Sequence, residues 1–168
     1  MQLTDEFLKI IADRFSKAFD RIFHGVKQLN DQQVWYRPSD NSNSVGIIWQ
    51  HLNGNLNQWV CSAVGGESFN RNRGEEFKEI QNTSQKDLLE KIDLLNKKIN
   101  KIILQVPSES LLSQRRIQGS DETVMSALII ALTHLELHAG QVLYITKIML
   151  GDKYKESWKP ASKEQGMV

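Results

Sequence analysis

One stripe runs unbroken through the later part of the chain. Val124, Leu128, Ala131, Leu135, His138, Val142, Ile145 and Met149 alternate four and three residues apart. Only a helix places such positions on one face, and an apolar face of that length must be buried against partners. The spacing predicts a helix from about Thr123 to Leu150 that stops at Gly151. Three further segments carry stripes of the same kind. Phe7, Ile11, Phe15, Ala18, Ile22, Val26 and Leu29 mark a helix from Thr4 to about Leu29, with Thr4 as its cap and Asp5 and Glu6 in the first turn. Ile48, Leu52, Asn55, Trp59 and Ala63 mark another, capped by Ser44 and ended by Gly65 and Gly66. Leu88, Ile92, Leu95, Ile99, Ile102 and Val106 form a heptad-like seam between Thr83 or Ser84 and Pro107.

The stretches between the helices are polar and broken by turn residues. "NDQQVWYRPSDNSNS" reads as an ordered loop, because Trp35 and Tyr36 would be costly to leave in water. "ESFNRNRGEEFKEIQN" reads as a polar crossover without a stripe, and "LLSQRRI" as a short extended piece. The expected fold is all-α: a four-helix bundle with longer connections after helix 1, helix 2 and helix 3. It forms a single domain over 1–168, with a core over about 4–150 and a polar tail over 151–168, on which Tyr154 and Trp158 are expected to dock.

Composition narrows the function classes. The chain has 21 Lys and Arg against 20 Asp and Glu, so no basic excess points to nucleic acid or to a membrane surface. Cys61 is a single cysteine, expected buried or half-buried, and fits a reducing compartment. "MQLTDEFLKI" is acidic and amphipathic and does not read as a signal peptide, and "ALIIAL" is too short an apolar run to span a bilayer. A cytoplasmic location is the expectation.

The stretch "THLELHAGQ" then stands out, because it sets His134 and His138 four residues apart on one face of the most apolar helix. Imidazoles taken out of water need partners. Two explanations fit: core histidines satisfied by neighbouring polar groups, or two ligands reaching one metal ion. Glu136 lies between the pair on a different side of the helix, so the pattern is not that of the zinc proteases. A metal site needs a third ligand, and His51 beside the inner stripe of the second helix is the candidate. His24 lies roughly opposite the first helix's stripe and is expected to be exposed. Asn55 falls on the inner stripe one turn after His51, and as a buried amide it is expected to line the site.

Two segments are similar to the DinB superfamily of metal-binding bundles, the DinB and YfiT-like proteins. One is "LNDQQVWYRPSDNSNSVGIIWQHLNGNLNQW", which resembles the family's loop into a Ser, an apolar turn and His-Leu. The other is "HLELHAGQV", which resembles its His-x-x-x-His-x-Gly-Gln signature; together the likeness spans about residues 4–150. The resemblance implies that His51, His134 and His138 bind a divalent ion, nickel or zinc, with an open position for water. It implies a close helix approach at Gly140 and a supporting role for Gln141 behind a ligand. It also implies, for some members, a transferase or isomerase that uses a low-molecular-weight thiol. Three neutral imidazoles leave the ion its full charge, so a bound thiol would be held as thiolate. A non-catalytic or stress-associated bundle and a metal-dependent hydrolase are the alternatives. Arg115 and Arg116 offer charge to an acidic thiol cofactor or are simply solvated. A homodimer is the expected assembly, by the family's habit and the frequency of two-fold pairing.

Overall fold

The computed structural model describes residues 3–78 and 83–157. Among these residues five α-helices follow in order: α1 Leu3–Val26, α2 Asp31–Trp35, α3 Val45–Leu56, α4 Gln85–Leu104 and α5 Val124–Leu150. α1, α3, α4 and α5 are the bundle. α1 packs on both α4 and α5, and α3 packs on α5. The stripes read from the sequence form one core: Phe15, Ile22, Leu52, Ile99, Leu128 and Leu135 are each wholly excluded from water. α5 is long and apolar enough by composition to cross a membrane, but its inner face supplies this core.

Local chemistry sets most of the helix ends. Ser44, Ser84 and Thr123 each accept a hydrogen bond from a backbone N–H of the first turn they cap. Gly151 ends α5 at φ 51°, a conformation glycine adopts without steric cost. α1 departs from expectation. It already includes Leu3, so Thr4 lies inside the first turn rather than capping it. Asp5 there accepts a bond of 2.7 Å from Ser108, which ties this end of α1 to the segment after α4.

The connections hold more structure than the sequence pattern announces. The loop after α1 contains α2, closed by a reciprocal capping box between Asn30 and Gln33. Trp35 packs its ring against Gly46 and donates its indole N–H to the carbonyl of Thr83 at 3.0 Å, whereas Tyr36 stays 52% exposed. Past Leu56 the helix continues as a π-helical turn, Asn57–Ser62, which carries Trp59, Val60 and Cys61 into the core. The extended piece is real: β1, Gln114–Ile117, pairs antiparallel with β2, Ser120–Thr123, around Gln118 and Gly119 at positive φ. That two-residue turn matches the twist of the strands. Arg115 and Arg116 are engaged by this hairpin, one donating to the carbonyl of Ala63 and the other pairing with Asp121.

Two further placements differ from expectation. His24 is half-buried, because the segment after α5 folds back over α1: Tyr154 meets its ring edge-on and the carbonyl of Lys155 lies 2.6 Å from its Nε2. Trp158 falls outside the described residues. Gly140 faces outward with open space around it, so no helix approaches there. The close approach of α1 to α5 occurs at Gly25 instead, where an added Cβ would lie 2.9 Å from Val142.

Gly46 gives a direct test of the loop packing. A Cβ at this position would lie 2.5 Å from the Trp35 ring. The clash outweighs the roughly 1 kcal/mol that alanine gains over glycine in a helix. Gly46→Ala is expected to lower the urea midpoint with an unchanged slope; a midpoint equal to or above wild type shows that the ring is not seated as described.

Candidate metal centre

α3 and α5 lie side by side, and each contributes histidine from its facing surface. His51 comes from α3, and His134 and His138 from successive turns of α5. Their Nε2 atoms converge. His134 Nε2 lies 3.2 Å from that of His51 and 2.9 Å from that of His138. All three ligand atoms fall within 4.8 Å of one another, so the cluster can hold a metal ion. His51 is buried; His134 and His138 are half-buried.

The far side of two rings is anchored. His51 Nδ1 lies 3.0 Å from Glu76 Oε2, and an ionised carboxylate only accepts, so Nδ1 carries the hydrogen. His138 Nδ1 lies 2.7 Å from Gln141 Oε1 and donates to it. Both rings therefore turn a lone pair on Nε2 toward His134. The His134 Nε2 can donate to one of them at most. At least one of the two contacts is then left without a hydrogen between its nitrogens, which a cation among the three relieves.

Glu76 comes from the crossover that follows the π turn, in a short 3-10 turn, Glu75–Phe77. It is 7% exposed, and its charge is met twice by Arg71, whose Nε donates to Oε1 at 2.5 Å and whose Nη2 donates to Oε2 at 2.7 Å. Arg71 in turn donates to Gln58 Oε1 at 3.1 Å. Burial acts to raise the Glu76 pKa, but the bonds from Arg71 and His51 outweigh it and hold the carboxylate below its ordinary range. Phe77 stacks on the His51 ring at 5.4 Å. Gly54, one turn past His51, makes room for all this: a Cβ there would overlap the Glu76 carboxylate.

The sequence does not point to Arg71, Glu76 or Phe77, because their segment has no periodicity to read. The legible sign is Gly54 itself, a glycine inside a helical pattern, which costs about 1 kcal/mol relative to alanine and calls for a packing reason. Asn55 is buried at 8% exposure, with its side-chain oxygen lacking a partner among the described residues. Cys61 stays apart from the centre, and burial pushes its thiol up to about 11.

A match to a family model decides the relationship: residues 2–162 fit the family described as "Protein of unknown function (DUF1572)". The chain belongs to the DUF1572 family. Its fold is DinB-like. A DinB-like protein of Bacillus cereus superposes with a TM-score of 0.68 at 13% identity, over 83% of this chain and 90% of that one. A DinB-like protein of Bacillus subtilis gives 0.65 at 18% identity, again over 83% and 90%. No curated protein matches this DUF1572 chain.

The imidazoles also set a pH dependence. Burial, then repulsion from His138, His51 and Arg71, lowers the His134 pKa from 6.5 to about 4. Burial and His51 lower that of His138 against the bond to Gln141. Between about 4, for His134, and 6.5 the unfolded chain binds protons that the folded chain does not, so folding stability rises with pH there and levels off above. Metal-free protein is expected to lose stability on acidification from pH 7 to about 4.5, and His134→Gln to lose distinctly less. Parallel curves for the two proteins in urea titrations at several pH values argue against a neutral, buried His134.

Proposed function

We propose that this chain binds one divalent metal ion through Nε2 of His51, His134 and His138 and transfers the sulfur of a small thiol to an electrophile. The observation that carries the reading is the convergence of three neutral imidazoles with anchored outer nitrogens. Imidazole suits zinc and nickel, and such outer partners orient ligands and raise their basicity. Glu76 and Gln141 fill that role here. The fit of the donor set is good: the low His134 pKa means protons compete little for its nitrogen at neutral pH. A bound ion would supply Lewis acidity and hold a low-molecular-weight thiol in its ionised form.

The residues around the centre favour this over hydrolysis. A hydrolase usually needs a base to take the proton of water. Glu76 is the carboxylate at hand, and both its oxygens are engaged by Arg71 and His51. A thiol ionises nearer neutrality and needs no such base. In the net reaction a sulfur–carbon bond forms, the leaving group departs with its bonding electrons, and the thiol proton passes to solvent.

Elemental analysis of untagged protein, after addition of zinc or nickel, is expected to give about one ion per chain. His51→Ala, His134→Ala and His138→Ala should each abolish binding, and His24→Ala should not. Glu76→Gln is expected to weaken affinity roughly 10- to 100-fold, and Gly54→Ala to act in the same direction by displacing the carboxylate. Sub-stoichiometric metal in the wild type returns the three side chains to the role of core histidines.

The chemistry is tested separately. Metal-loaded protein is incubated with bacillithiol, glutathione or cysteine and the halide electrophile monochlorobimane. Wild type is expected to exceed both buffer and His138→Ala, with a chelator removing the difference. Equal rates for wild type and His138→Ala with all three thiols, with stoichiometric metal bound to the wild type, leave a non-catalytic metal-binding bundle.

A further inference from the structure

Beyond the histidines, the same faces of α3 and α5 run on into a groove. Gln141, which holds His138, forms part of its wall. Ile145 lies two turns past His138 on α5, about 10 Å along the helix axis, and Ile48 lies one turn before His51 on α3; both line it. The two helices thus lead independently from the metal centre to the same hollow of about 330 Å³. Pro38, Tyr144 and Ile148 complete its apolar wall, and Ser42 and Asn43 add polar groups. Among the described residues, no charged side chain lines it. A second hollow of about 420 Å³ continues from it past the shared Ile148, toward Tyr36 and Met149.

The volume falls in the range of small-molecule sites. Tyr144 and Ile148 are large side chains left 68% and 56% exposed here. The loop that forms the opposite wall is held by its own bonds, with Ser42 Oγ accepting from the Ser39 N–H at 2.7 Å and donating to the Ser39 carbonyl at 2.8 Å. At the metal end, the Gln141 oxygen accepts from His138, which leaves the amide N–H groups of this lining residue as donors.

We propose that this groove seats the electrophilic substrate, an uncharged compound with an aryl or alkyl body and a hydrogen-bond acceptor at its reactive end. The proposal rests on the thiol-transfer reading and adds the substrate class. The apolar body lies against Ile48, Tyr144, Ile145 and Ile148. The acceptor meets the Gln141 amide, one turn from His138. A charged body is disfavoured, because nothing in the groove pays for its desolvation.

The test uses acetophenone, an uncharged aryl ketone, and benzoate, its anionic counterpart, in amide NMR titrations of the full chain without metal. Acetophenone is expected to shift Tyr144, Ile145, Ile148 and the Gln141 side-chain amide, and benzoate is not. Ile148→Lys, at an exposed position, should weaken acetophenone binding roughly tenfold. Shifts elsewhere, an equal response to benzoate, or unchanged affinity in Ile148→Lys overturn the groove. So does a wild-type dimer that Ile148→Lys converts to monomer in sedimentation, since a second copy would then cover the face. Metal content is measured on the same wild-type sample. Groove binding in a protein that takes no metal overturns the metal reading and leaves the groove standing as a binding site.

Discussion

The centre depends on one buried ion pair, Arg71 with Glu76. Taking a carboxylate out of water costs several kcal/mol unless its lone pairs are met. Here two Arg71 nitrogens and His51 meet them, on a residue only 7% exposed. The pairing fixes more than a charge. It sets which nitrogen of His51 carries the hydrogen, and therefore which one faces His134. It also clamps the crossover onto α3, where Phe77 covers the ring and Gln50 donates to the carbonyls of Glu76 and Lys78.

The pair has its own support. Gln58 Oε1 accepts from Arg71 and also from Gln118, at the tip of the hairpin that leads into α5. A chain of contacts therefore runs from the hairpin turn through Gln58, Arg71 and Glu76 to His51. Gln58 itself sits in the π turn. Such turns often occur at functional sites. In this protein the irregular pieces, the π turn, the crossover and the hairpin, gather on one side of the centre, while α3 and α5 supply the histidines.

The bundle was legible because its signals are periodic. The α4 seam from Leu88 to Ile99 and the α5 stripe from Val124 to Leu135 are buried as their spacing requires. Ser44, Ser84 and Thr123 act at helix ends through their hydroxyls and Gly151 through its lack of a side chain, so each is visible in the residue type. Thr4 does not, since a capping residue can be named from sequence while the start of the helix depends on what precedes it. The meeting of His51 with His134 and His138 was readable as two helix faces and a resemblance. Arg71 and Glu76 were not, because tertiary burial of a charge leaves no local pattern. Gly140 shows the converse: it fits a motif, yet its neighbours leave it facing open space.

Gly54 carries a consequence for comparing this chain with distant relatives. The notch it leaves on α3 and the carboxylate that fills it form a lock and key within one molecule. Neither half has value without the other. A relative that keeps the histidines but bears a larger side chain at the notch has no room for the carboxylate, and its His51 counterpart must find another partner. Its metal would then sit in a different electronic environment. The histidines describe what such a bundle can bind. The glycine decides whether a buried carboxylate can stand behind one of them.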